Sequence, residues 1–351
     1  MKKTRIVIFV SALALLATAC GGGGGSDGEK SVTFFGWGGT GQEAVSAAWF
    51  TPFTKKTGIK VIEDNPVSFQ KLEQAVKADN VPWSVVDMDS SVNLTDNPSL
   101  QDIDCSVVAC DEFKGGLFPL YKQAVPAYSF SVVIAYNSQK YTEADAPSGW
   151  RDFFDSKRFP GKRLMRPINE GWAGQLEAAL LTDGVDRDKL YPLDVDRALK
   201  VFDKVKDDLV VMADDAQCVT NVASGEAVMG SCYNGRTQKA AVEGQPVKIA
   251  WGMQNLQVEY FMVPKGAPNS ANAQKLIAYS VSKEHNGALS SVIGYDPANP
   301  LAKVAEDSKW RDGLGSLHKL KGDEAPIVYD SEWWQKNRAQ VIEKLAKWIE
   351  S

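Results

Sequence analysis

Three short runs rich in β-branched and aromatic residues, 32–35, 59–62 and 84–88, are separated by stretches of helical spacing, and this alternation limits the fold more than any other feature of the chain. Strand, helix, strand, helix, strand in close succession builds a parallel sheet with right-handed crossovers. The first helix is predicted over 42–56, ending at Gly58. Ser68 is placed to cap the second, which runs through Leu72, Ala75 and Val76. A strong apolar strand follows at 132–136. Polar residues 137–140 then lead to Pro147, Ser148, Gly149 and Trp150, where a second lobe is predicted to begin. Inside it the spacing predicts a helix after Gly171 through Leu181, another capped by Asp194 with Ala198, Val201, Phe202 and Val205 on one face, and a strand at 227–232. The apolar run 258–263, closed by Pro264, Lys265 and Gly266, and the helix 271–280 return to the first lobe; residues 333–349 form a closing helix. The expected organisation is α/β, with residues 31–137 and 258–351 as a discontinuous first lobe and 138–257 as the second.

The N-terminus addresses the chain. Lys2, Lys3 and Arg5 precede a run from 6 to 16 that is apolar save for Ser11, then Ala17, Thr18, Ala19 and Cys20, the pattern of a secretory signal over residues 1–19. Counted to Ala19 the run has 14 residues, whereas a membrane-spanning helix needs roughly 20. The segment resembles a bacterial lipobox, which makes Cys20 the acylated N-terminus of the mature chain; Ala17 stands where lipoboxes more often carry Leu. Residues 20–30, with Gly21 to Gly25, have no apolar side chain to bury and read as a tether. Removing the three basic residues of the signal takes the formal charge from −5 to −8, a balance that argues against nucleic acid as a partner. The remaining cysteines fall into two close pairs, Cys105 with Cys110 and Cys218 with Cys232, predicted as local disulfides in an exported chain; four buried free thiols are the alternative.

From 32 to 295 a series of short runs resembles the bacterial extracellular solute-binding proteins of the spermidine/putrescine type. These are the strand ending at Trp37, Phe53 to Val61, Trp150-Arg151-Asp152-Phe153-Phe154, Phe159-Pro160-Gly161-Lys162, Ser224-Gly225-Glu226, Tyr233-Asn234-Gly235 and Ile293-Gly294-Tyr295. The resemblance implies a two-lobe periplasmic-binding-protein (Venus-flytrap) fold, joined by two or three strands and closing on a small cationic amine of the putrescine/spermidine kind. It also implies delivery to an ABC transporter permease, action as a monomer, and no cofactor. By the same resemblance Trp37 and Tyr233 are aromatic walls, Asp89 and Ser91 polar contacts, and Glu259 the carboxylate that grips an amine. Asn169 or Glu170 is the polar contact from the second lobe. Thr40 and Gln257 stand where polyamine binders prefer Tyr and Trp, two departures.

The chemistry agrees. An alkylammonium loses hydration in a cleft, so it needs carboxylates to offset that cost and aromatic faces to meet the charge. Asp89, Glu259, Trp37 and Tyr233 supply both. Arg236 fits less well, since a guanidinium repels a polyamine but holds a carboxylate in bidentate fashion; it makes an ω-amino acid such as γ-aminobutyrate the alternative ligand. Each residue also has a plainer reading: Asp87 and Asp89 as caps at a strand end, Trp37 and Tyr233 as core aromatics, Arg236 as an exposed opening of a helix. An enzyme of another class is suggested by Gly36-Trp37-Gly38-Gly39-Thr40-Gly41, a literal G-x-G-x-x-G after a strand with Glu63 and Asp64 ending the next. The export signal and the bulky Trp37 count against it. Only His285 and His318 are present, neither near a nucleophile motif, so hydrolytic triads are poorly supplied.

Overall fold

The structure, a computed structural model, describes residues 30–351; the signal, Cys20 and nearly all of the tether lie outside the described residues. The elements run β1 (Ser31–Phe35), α1 (Gly39–Val45) continued through a π turn into α2 (Thr51–Thr57), β2 (Lys60–Asp64), α3 (Phe69–Lys77), β3 (Val85–Asp89) and β4 (Val125–Asn137). Next come α4 (Trp150–Phe153), β5 (Arg163–Met165), α5 (Gln175–Thr182), α6 (Val195–Phe202), β6 (Leu209–Val211), α7 (Cys218–Ala223), β7 (Met229–Tyr233) and α8 (Asn234–Val242). The chain closes with β8 (Val247–Met262), α9 (Ser270–Val281), the two-residue β9 (Asp296–Pro297) and α10 (Ser331–Glu350). No helix among them is long and apolar enough to cross a membrane.

The strands lie in the order β2-β1-β3-β8-β4-β7-β5-β6. The first three are parallel to one another, as are the last three, and between them β8 and β4 run antiparallel to each other and to their outer neighbours. Two parallel half-sheets are thus joined by one long antiparallel pair, and each half is the core of a lobe. Successive side chains of a strand point to opposite faces. Phe34 therefore joins the cluster of Trp49, Phe53, Phe261 and Ile277, while Phe35 joins that of Leu72, Val86, Tyr260 and Met262.

Ser68 caps α3 by accepting from Lys71 N–H at 3.4 Å, and Asp194 caps α6 by accepting from Arg197 N–H at 3.0 Å. Both disulfides form in the expected pairs, with Cα separations of 5.4 Å for Cys105–Cys110 and 5.7 Å for Cys218–Cys232. Three expectations need correction. β4 begins seven residues earlier than the apolar run suggests, and β8 begins at Val247 rather than 258; both are buried over most of their length despite Ser129, Ser131, Gln254, Asn255 and Gln257. Buried polar side chains survive there because they find partners: Ser131 Oγ donates to Gln254 Oε1 at 2.6 Å, and Asn255 Nδ2 to the Ala173 carbonyl at 2.7 Å. The lobes accordingly meet inside these strands. Finally, α10 does not join the first lobe as the 258–351 grouping expects. Its Trp334, Val341 and Leu345 pack in the second-lobe cluster with Trp172 and Phe202, and buried Glu177 accepts from Trp334 Nε1 at 2.7 Å. The chain reaches α10 by a third crossing, where Ile327 pairs beside β8 at Gln254 and Leu256.

Candidate functional site

Ligands of open parallel sheets sit beyond the carboxyl ends of the strands, where backbone turns away and side chains converge. Here two such edges face each other. Trp37 follows β1, Asp89 ends β3, and residues 67–70 follow β2. From the other lobe Arg166 follows β5, Asp214 and Asp215 follow β6, and Tyr233 ends β7. Together with Tyr128, Phe130, Gln257 and Glu259 from the joining strands they line a cleft of about 810 Å³.

The first-lobe wall is acidic. Asp89 and Glu259 are direct partners across β3 and β8, and Tyr128 is the partner of Glu259 across β4. Opposed residues project from the same face, and Asp87, two residues before Asp89, shares it. Trp37 Nε1 donates to Glu259 Oε2 at 3.1 Å, Tyr128 Oη to Asp87 Oδ2 at 3.0 Å, and Ser91 N–H to Asp89 Oδ1 at 2.9 Å. Among the described residues no Lys or Arg forms an ion pair with any of the three. Burial, helped by Asp89, pushes the Asp87 carboxyl up to about 8 against the Tyr128 hydrogen bond. Burial, with Asp87 and Asp89 beside it, holds Glu259 well above the usual carboxylate range.

The second-lobe wall is built around a guanidinium. Buried Arg166 donates to Asp215 Oδ2 at 3.1 Å and also to Glu170 and the Tyr233 hydroxyl. Burial works to discharge it, but Tyr233, Glu170 and Asp215 raise its pKa above the ordinary value. Burial in turn holds Glu170 up to about 7 in spite of Arg166, with Asp215 and, from across the cleft, Asp89 adding to the rise. Arg236, the third residue of α8, differs: its guanidinium lies 5.2 Å from the Tyr233 ring centre and makes no hydrogen bond or ion pair among the described residues. Aromatic rings join the walls, with Tyr128 stacked 5.8 Å from Tyr295 and Phe130 5.3 Å from Tyr233.

Of the residues singled out in the sequence, Trp37, Asp89, Ser91, Asn169, Glu170, Tyr233, Arg236, Gln257 and Glu259 line this cleft. Thr40 does not: it lies in the first turn of α1, and the cleft is lined on that side by Gly38, Gly41 and Gln42. Trp37 is 46% exposed, a wall residue rather than core. Glu170 is engaged by Arg166. Asp87 caps no helix and faces the cleft instead, a role the apolar run around it could have signalled, because a carboxylate inside such a run needs a reason to be there. Arg166, Asp215 and Arg338 escaped notice: the first two follow strands of three residues, too short for periodicity to register, and the last comes from a helix assigned to the other lobe. The glycine-rich turn after β1 is filled from within. Gly38 N–H donates to Gln42 Oε1 at 2.8 Å, Glu63 accepts from Gln42 and Ser46, and Asp64 accepts from Trp83 Nε1 at 2.7 Å. The carboxylates a dinucleotide ribose would need are occupied.

A family model described as bacterial extracellular solute-binding protein matches residues 48–313. The gamma-aminobutyric acid-binding protein of Pseudomonas aeruginosa is 30% identical, over 98% of this chain and 96% of its own. The spermidine/putrescine-binding periplasmic protein 1 of Haemophilus influenzae is 24% identical, over 90% of this chain and 95% of its own. A solved GABA receptor structure superposes with a TM-score of 0.78 at 33% identity, covering 91% of this chain and 97% of that one.

Proposed function

This chain belongs to the bacterial extracellular solute-binding proteins, and we propose that within that family it captures a short ω-amino acid of the γ-aminobutyrate kind. Its role is that of the substrate-binding component of an ABC importer. The observation that carries the ligand reading is Arg236: a guanidinium on the cleft wall with no carboxylate partner among the described residues, opposite a wall of three carboxylates with no cation. A zwitterion satisfies both. Its ammonium sits against Glu259, Asp89 and Asp87, its carboxylate takes the Arg236 fork, and its methylenes lie among Trp37, Tyr128, Phe130, Tyr233 and Tyr295.

Bridging both walls favours a closed form over the open one, the form a permease would engage. Bending is expected where β4 and β8 fall out of step. Val132 pairs with Asn255 and Ile134 with Ala250, so extra residues of β8 bulge opposite Val133, with Met253 in the left-handed region at φ 54°. The same reading includes a lipid tether at Cys20 and action as a monomer.

A polyamine such as putrescine or spermidine is the second reading, favoured by the excess of acid: Glu170, Asp214 and Asp215 also line the cleft. Isothermal titration of protein lacking Cys20 with γ-aminobutyrate, putrescine and spermidine tests the two. Binding of γ-aminobutyrate alone supports the zwitterion; binding of the polyamines alone makes Arg236 peripheral. Silence from all three rejects an amine ligand of either kind.

A further inference from the structure

Asp87, Asp89 and Glu259 stand on neighbouring rungs of two adjacent strands, facing one way. Directly opposed positions have Cβ atoms about 5 Å apart, and alternate positions of one strand about 6.6 Å. Asp87 and Glu259 are almost wholly buried, and Asp87 Oδ1 has no hydrogen-bond donor among the described residues. No Lys or Arg among the described residues is paired with the cluster, and none is among the groups that shift Asp87 or Glu259. β4 contributes Tyr128; Tyr295 and Tyr329 flank the cluster; the charge that reaches Glu170 across the cleft is that of Asp89; Arg236 acts on Tyr295 and Arg338 on Tyr329. Among the described residues no group of His, Cys, Asp and Glu could hold a metal ion. Asp87 and Glu259, buried close together with the Asp89 carboxyl beside them and without a paired cation, do not both ionise; they share a proton and titrate as a unit.

We propose that Asp87 is a ligand-binding residue that works by exchange: the incoming ammonium displaces a proton held between Asp87 and Glu259, so that loading releases acid to the solvent. The ligand arrives as R–NH3+ and stays charged, the O–H bond of the protonated carboxyl breaks, its electron pair remains on the oxygen, and the proton leaves to buffer. Charge at the acid cluster is then unchanged by binding, since one ammonium replaces one proton, which avoids burying an uncompensated cation there. The raised carboxyls of Asp87 and Glu259 accord with this. Capture would be favoured at neutral or alkaline pH and discharged by acid. The inference rests on the amine part of the functional reading and is indifferent to which amine is bound.

The test is calorimetric titration of the protein lacking Cys20 with γ-aminobutyrate and with putrescine, in phosphate and in Tris at the same pH. Heats that differ between the buffers by the ionisation enthalpy of about one proton, and an affinity that rises up to about tenfold per pH unit between pH 6 and 8, are expected. Asp87→Asn should reduce the proton release and flatten the pH dependence. Infrared difference spectra of the unsubstituted protein, in which the carbonyl band of a protonated carboxyl disappears on adding ligand, give the same answer without relying on a variant that folds. Binding with identical heats in both buffers and no loss of that band overturns the exchange while leaving the amine reading intact; no binding of either amine overturns both.

Discussion

The two walls of the cleft hold the same kinds of residue in opposite states of pairing. On the second lobe Arg166 is enclosed by Glu170, Asp215 and Tyr233, so its charge is spent inside the protein. On the first lobe Asp87, Asp89 and Glu259 have only neutral donors, from Trp37, Tyr128 and the Ser91 backbone. A buried charge with its partners holds a wall in shape, whereas a buried cluster without them awaits a partner from outside. Chemically similar residues on facing walls of one cleft therefore have different work, which residue type alone does not reveal.

The contrast is broken most severely at Arg166. Arg166→Met strands Glu170 and Asp215 without a cation and should destabilise the protein by about 3–5 kcal/mol; a urea titration reads this, and a much smaller loss would mean the network is no scaffold. Glu259→Gln should act the other way round. Amine affinity falls by roughly 2–5 kcal/mol while stability is kept or improved, because burial and the neighbouring Asp87 and Asp89 already disfavour the charged form of the group removed. Unchanged affinity by titration calorimetry would take Glu259 out of the site. Arg236→Met sharpens the comparison by ligand: γ-aminobutyrate should weaken by roughly 1.5–3 kcal/mol, with putrescine unaffected or tighter, and equal losses for both would show a packing role against Tyr233.

The smallest effect is a pH dependence read as a difference between two proteins. Asp87 has a folded-state pKa of about 8, above its ordinary 3.8, so the folded protein binds this proton more tightly than the unfolded one. The resulting stability is greatest at the acid end and is lost as pH rises from about 4 to 8. The advantage in Tm of the ligand-free protein over Asp87→Asn should therefore shrink between pH 5 and 8; a gap that widens would show that Asp87 is held ionised.

Local signals carried far in this chain. Ser68 and Asp194 were legible as caps because capping is decided within four residues, and the disulfide partners because they are close in sequence. β1, β2 and β3 showed their alternation plainly. The polar stretches of β4 and β8 hid most of both strands, since Ser131, Gln254 and Asn255 are buried only because distant groups satisfy them. The resemblance marks Glu259 and Asp89, and both line the cleft, whereas Asp87 reads as a cap at a strand end and nothing local marks Arg166. Thr40 stands at a position the resemblance marks, yet the first turn of α1 keeps it off the cleft wall.

The order of strands and helices, the caps, the half-cystine pairs and the presence of acids and aromatics at strand ends were determined by the sequence itself, because each depends on neighbours along the chain. Which acids lack a cation, which arginine is spent, and which lobe receives α10 were decided only by the tertiary structure. Those properties depend on what the fold brings within about 4 Å across the cleft and the core, a distance at which burial and pairing, rather than residue type, set the charge a group can carry.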